Sequence, residues 1–271
     1  MWRRVLTVFA IPAALAAQPP ATQPPAPQAP DGVVLAYQRF ADIFGSRLVA
    51  AFDSIPAARY GYRPTPAQQN VGYIAQHLED ANYALCERLG ERKRPATAKD
   101  SAADTIKARW PKDTLVARLR ASLRFCDAAM DDVRTPPSAA LTTTLLAFET
   151  DLAEHYSQVA TYMRLLGLVP PSALPPRRRT EIALPAVALA AYVGAYQIAP
   201  GLELDVTMRD GALFARSTVG GAAVRLRSES GTEFFVRETD AQVTFTRDAA
   251  GAVTGLVLHQ FGRDRPARKT R

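Results

Sequence analysis

The feature that most constrains this chain is a change of hydrophobic period. Between residues 33 and 168 apolar residues recur every three to four positions, and after "PPSALPPRRR" they recur every second position. A 3.6-residue period lies on one face of a helix and a two-residue period on one face of a strand, so neither half can be built as the other. The sequence therefore predicts an α+β multidomain protein, with a helical domain followed by a β domain.

Four helices are predicted. The first, about 33–53, places Val34, Leu35, Phe40, Ile43, Phe44, Leu48 and Phe52 on one stripe. The second, about 66–89, starts behind Thr65 as N-cap with Pro66 at the first helical position. It buries Val71, Ile74, Leu78, Ala81 and Leu85, and Gly90 closes it. A charged, alanine-rich connection covers 91–111. The third helix, about 112–133, turns Leu115, Leu119, Leu123 and Met130 inward. The fourth, about 138–167, carries Leu141, Leu145, Phe148, Leu152, His155, Val159, Tyr162 and Leu166, and stops at Gly167 before Pro170 and Pro171. Helices of this length with one apolar face each close most simply as a four-helix bundle, here residues 33–172. A linker over 173–186 leads to seven or eight short alternating runs, separated by "RDG", "GG", "SG" and "DAAG". These predict a small antiparallel β-barrel or curved sheet over 187–265, because closure removes exposed edges, with 266–271 as a basic tail.

The first 17 residues have the two arginines, apolar run and Ala-x-Ala pattern of a signal peptide, and residues 18–32 are a proline-rich linker. The protein is expected to be exported, to the periplasm or beyond the cell, with no transmembrane span after cleavage. The net charge of +7 raises the question of nucleic acid. Residues 31–176 are nearly balanced, and the excess sits in Arg3, Arg4, "RRR" and "RDRPARKTR" without interleaved aromatics, so a nucleic-acid groove is not predicted. Cys86 and Cys126 fall on neighbouring predicted helices. In an exported chain a disulfide is preferred to the alternatives, metal ligation or a nucleophilic thiol.

Asp151 and His155 are four residues apart and stack on one helix face. His77, at the edge of the second helix's apolar face, would join them if the two faces meet. Two nitrogens and one carboxylate are a donor set for a divalent metal. The simpler alternatives are a core histidine and an i, i+4 ion pair. Glu154 and Tyr60 are weaker candidates for catalytic groups. Glu154 turns away from the core, and Tyr60, like Arg63, is explained by loop packing. Asp131 and Asp132 are expected to face solvent, and His259 to occupy a half-exposed strand position.

"PAARYGYRPTPAQQNVGYIAQHLEDANYALC" and "EHYSQVATYMRLLGLVPPS" resemble the DinB-like superfamily of four-helix bundles, over about residues 35–172. The resemblance implies one metal-ligating histidine on the second helix, at His77, and a His-x-x-x-His pair on the fourth, of which His155 is the second member. Asp151 stands in place of the first. It further implies a bound divalent ion, zinc or nickel, and relatives that include metal-dependent hydrolases and thiol transferases. The segment from "YVGAYQIAPGLELDV" to "AVTGLVLHQFGR" resembles a lipocalin-like domain of unknown function appended to exported beta-lactamase-like proteins. No Ser-x-x-Lys or Gly-x-Ser-x-Gly supports serine chemistry here. Two functions follow as expectations: a metal-dependent enzyme, hydrolase before transferase, acting on a small molecule, or a non-catalytic exported binding or scaffold protein. The oligomeric state is not predicted.

Overall fold

A computed structural model describes residues 31–95, 101–133, 135–175 and 178–271. The expected signal peptide and nearly all of the proline-rich linker lie outside the described residues. The helices are α1 (Gly32–Ser54), α2 (Val71–Cys86), α3 (Asp104–Lys107), α4 (Lys112–Asp131), α5 (Ala139–Leu165) and α6 (Ala186–Ala190). Side chains of Asp31, Asn70 and Ser138 cap α1, α2 and α5 by accepting from backbone N–H groups of the first turn. Gly167, at φ +74°, closes α5, with Leu168 N–H donating to the Met163 carbonyl and Gly167 N–H to that of Arg164. These two hydrogen bonds satisfy carbonyls the helix end would leave unpaired, in a conformation that glycine adopts without steric cost.

α2 begins five residues later than the Thr65–Pro66 signal predicts. Gln68 N–H donates to the Thr65 carbonyl at 3.1 Å, so "TPAQ" forms a turn with Pro66 at its second position. The helix starts instead behind Asn70, whose Oδ1 accepts from Tyr73 N–H at 2.8 Å. At its other end a 3₁₀ turn, Glu87–Leu89, extends the helical run to the extended Gly90. The charged, alanine-rich connection over 91–111 contains α3.

Four long helices pack together, α1 against α4 and α5, and α2 against the same two. Side-chain pairs set their directions. Gln38 reaches Asp127 while Lys112 reaches the Asp53 carbonyl, so α1 and α4 are antiparallel. Glu79 pairs with Arg118 and Asn82 with Ser122, so α2 and α4 are parallel. Tyr162 donates to the Gln69 carbonyl at one end and His77 faces Asp151 further along, so α5 runs antiparallel to α2. Leu48, Phe52, Ile74, Leu78, Leu115, Leu119, Leu145, Phe148 and Leu152 fill the centre. The predicted α1 stripe departs at one place: Phe40 is half exposed, whereas Gln38 and Asp42 are buried. A disulfide joins Cys86 of α2 to Cys126 of α4, with Cα atoms 5.1 Å apart. It closes a loop of 40 residues that includes the charged connection.

The C-terminal part is a closed antiparallel barrel of eight strands in sequence order: β1 (Gly194–Ala199), β2 (Leu202–Arg209), β3 (Ala212–Ser217), β4 (Val224–Ser228), β5 (Glu233–Val236), β6 (Ala241–Arg247), β7 (Val253–Gln260) and β8 (Arg263–Lys269). β8 closes it by pairing with β7 along its length and with β1 at Lys269 and Arg268. Residues 266–269, expected in a basic tail, are therefore a barrel strand. Its alternation is hidden because Ala267 is the one buried residue of β8, on a face it shares with Arg263, Arg265 and Lys269. Pro266 sits outside the short β1 pairing, where a missing N–H is tolerated. The interior is filled by side chains: Tyr196, Phe234 and Phe245 meet edge to face, and Tyr192, just after α6, lies 4.4 Å from Phe245 between ring centroids. Among the described residues no helix is long and apolar enough to cross a membrane.

Candidate metal centre

His77 projects from α2 toward Asp151 and His155, one turn apart on α5. Their ligand atoms all lie within 4.8 Å of one another. Asp151 Oδ1 is 3.8 Å from His77 Nε2 and 3.4 Å from His155 Nδ1, and the imidazole centroids are 4.9 Å apart. These separations exceed good hydrogen bonds. The His77 Nε2–Asp151 Oδ1 separation is near the size expected for two donors that each stand about 2.0–2.2 Å from a shared ion, while His155 would offer its other nitrogen, Nε2.

The helix itself prepares His155. Its Nδ1 lies 2.8 Å from the Asp151 backbone carbonyl. A carbonyl can only accept, so Nδ1 carries the hydrogen and Nε2 presents a lone pair, the tautomer that metal-binding histidines acquire from such a bond. Asp151 Oδ2 is buried and has no hydrogen-bond partner among the described residues. A buried carboxylate oxygen left bare is costly, and a cation would offset that cost. The site opens on one side, since the His77 side chain is 38% exposed against 20% for Asp151 and 11% for His155. Tyr73, one turn before His77, stacks nearly parallel to its ring. The Asp151 carboxylate beside it raises the His77 imidazole pKa above its ordinary value, and burial opposes that rise.

The weaker candidates lie elsewhere. Glu154 is exposed on the outer side of α5. Tyr60 is buried and donates its hydroxyl to the Phe52 carbonyl at 2.8 Å, which ties the loop to α1, and burial pushes its pKa up. Arg63 donates to the Pro66 carbonyl. Asp131 accepts from Gln38, and Asp132 pairs with Arg92 at the surface. His259 lies between Thr244 and Asp264 on the barrel wall. The sequence offered Tyr73 through its i, i+4 spacing from His77.

A second polar cluster was not anticipated. Buried Asp42 on α1 meets Arg263 and Arg265 of β8, and Arg263 also reaches Asp127 on α4. A cavity of about 540 Å³ lies at this junction, lined by Arg120, Arg124 and Phe261 among others. The barrel thus meets the helices through α1 and α4, while the histidines belong to the α2–α5 side. This cavity and the candidate metal centre are separate places.

No curated protein matches the chain. A crystal structure of SurE with D-Leu matches with 25% identity and a TM-score of 0.31, over 45% of this chain and 28% of that one. The chain thus spans little more than a quarter of that protein's length. Residues 178–269, which take in the whole barrel, match the family described as a domain of unknown function (DUF3471).

Proposed function

We propose that the helical unit is a DinB-like four-helix bundle and that His77, Asp151 and His155 hold one divalent ion, zinc or nickel, in an exported metal-dependent hydrolase or transferase. The observation that carries this is the convergence of three donor side chains, with Asp151 Oδ2 left without a hydrogen-bond partner among the described residues and the His155 tautomer preset by its own helix. A divalent ion there would supply Lewis acidity toward a small-molecule substrate. Asp151 would contribute the negative charge that retains the ion, and the exposed flank of His77 leaves a side for substrate approach. Hydrolysis is favoured over thiol transfer because export separates the protein from the cytosolic thiol pool. The Cys86–Cys126 disulfide supports export.

A second reading is a non-catalytic exported binding or scaffold protein in which the barrel contacts a partner or an envelope component. It draws support from Glu154 and Tyr60, neither of which stands at the three donors. Elemental analysis of purified protein, beside the His77→Ala and His155→Ala variants, separates the two. The enzyme reading expects about one equivalent of metal, lost in both variants while the helical circular dichroism is unchanged. Metal-free protein from zinc- and nickel-replete medium would exclude it.

A further inference from the structure

A second groove lies between α1 and α5, on the side of α5 away from the histidines. It measures about 560 Å³ and opens to solvent, with Val33, Tyr37, Phe40 and Phe44 of α1 and Glu149 of α5 in its walls. Phe40 is 50% exposed there, although Val34, Leu48 and Phe52 of the α1 stripe are buried. The one acidic group in this apolar lining is also unusual in its bonding. Glu149 Oε2 is buried and has no hydrogen-bond partner among the described residues. The guanidinium of Arg47 stacks beside the groove, 5.9 Å from the Phe44 centroid, and makes no ion pair with Glu149.

Each half of this wall asks for a different property in a ligand. Aromatic rings attract a cation through their faces and an apolar body through burial. The bare Glu149 carboxyl, whose pKa burial pushes up to about 7, asks for a positive charge that would hold it ionised, or for a donor. A neutral apolar molecule would cover the rings and leave Glu149 unsatisfied, and an anion would oppose it. The geometry points to a binding site for a small, soluble organic ammonium compound with an apolar body, its charge at Glu149 and its body on Tyr37 and Phe40. This site and the metal centre face different neighbours of α5, and neither proposal depends on the other.

The probe is benzyltrimethylammonium, compared with neopentylbenzene, the neutral molecule of the same shape, by two-dimensional NMR titration of the full chain. The cation is expected to bind about tenfold tighter than the neutral probe, as an aromatic–cation contact combined with a carboxylate allows. Shifts should centre on Val33, Tyr37 and Phe40. Glu149→Gln should reduce the cation to the affinity of the neutral probe, and Phe40→Ala, at an exposed position, should weaken both. Metal content should be unchanged in either variant. Equal affinity for the two probes, no binding of the cation, an unaffected Glu149→Gln variant, or binding confined to phosphatidylcholine vesicles would each overturn the assignment.

Discussion

At the scale of single residues, charge decides what the candidate centre can hold. Asp151 replaces a neutral imidazole in the pattern that the DinB-like resemblance implies, and its Oδ2 has no hydrogen-bond partner among the described residues. Asp151→Asn keeps the shape and removes the charge. It is expected to weaken zinc binding by at least about tenfold, measured by competition with a chromogenic chelator. These three residues were legible in the sequence because helical spacing places Asp151 and His155 on one face and His77 at the edge of another. Asp42 and Glu149 were not, since a lone acid beside an apolar stripe reads as solvated until the element covering it is known. Glu181 shows the ordinary behaviour of an exposed acid. It accepts from Arg227 and Arg225, each at 2.8 Å, and the Arg227 bond in particular holds its carboxyl below the usual value of 4.5. A folded-state pKa below the unfolded one gives stability that is present at neutral pH and lost as pH falls through the carboxylate range. Glu181→Gln should therefore cost less than about 1 kcal/mol near neutrality, given its exposure, and nothing in strong acid. Urea denaturation at a series of pH values checks this.

At the scale of elements, the helices were legible where periodicity and a single cap signal agreed. α1, α4 and α5 begin within a residue of expectation. α2 did not, because the sequence contains two start signals, Thr65–Pro66 and Asn70, and the first is used as a turn. Asn70 holds the first turn of the helix that carries His77, so Asn70→Ala should destabilise the protein by about 1 kcal/mol. A thermal melt would show this as a lowered midpoint, and an unchanged midpoint would place the helix start elsewhere. The disulfide acts between elements. It ties the end of α2 to α4 across a sequence separation of 40 residues, which limits the unfolded chain more than a short loop would. Replacing both cysteines by serine should cost about 2–4 kcal/mol in urea denaturation. Reductant should destabilise the natural protein toward the same midpoint and leave the variant unaffected.

At the scale of the whole molecule, the change of period divided helices from strands, yet nothing in either period told how the two parts meet. The reason is physical: a docking surface made of ion pairs has no hydrophobic rhythm, and "RDRPARK" reads only as a charged stretch running from the end of the β domain into a basic tail. In the structure that segment is the strand that closes the barrel, and its Arg263 and Arg265 enclose Asp42, which is only 4% exposed on the side-chain level. Such a buried cluster adds little net stability compared with apolar packing, but removing one sign from it is expensive, because the remaining charge is stranded. Arg263→Gln with Arg265→Gln leaves Asp42 with neither guanidinium and should cost about 3–5 kcal/mol at the junction. Since the junction ties the barrel to α1 and α4, the natural protein should unfold in one calorimetric transition and the double variant in two, with the helical unit melting apart from the barrel. Adding Asp42→Asn to the double variant removes the stranded charge. It should recover part of the lost stability without restoring the single transition, which distinguishes a broken dock from a misfolded barrel.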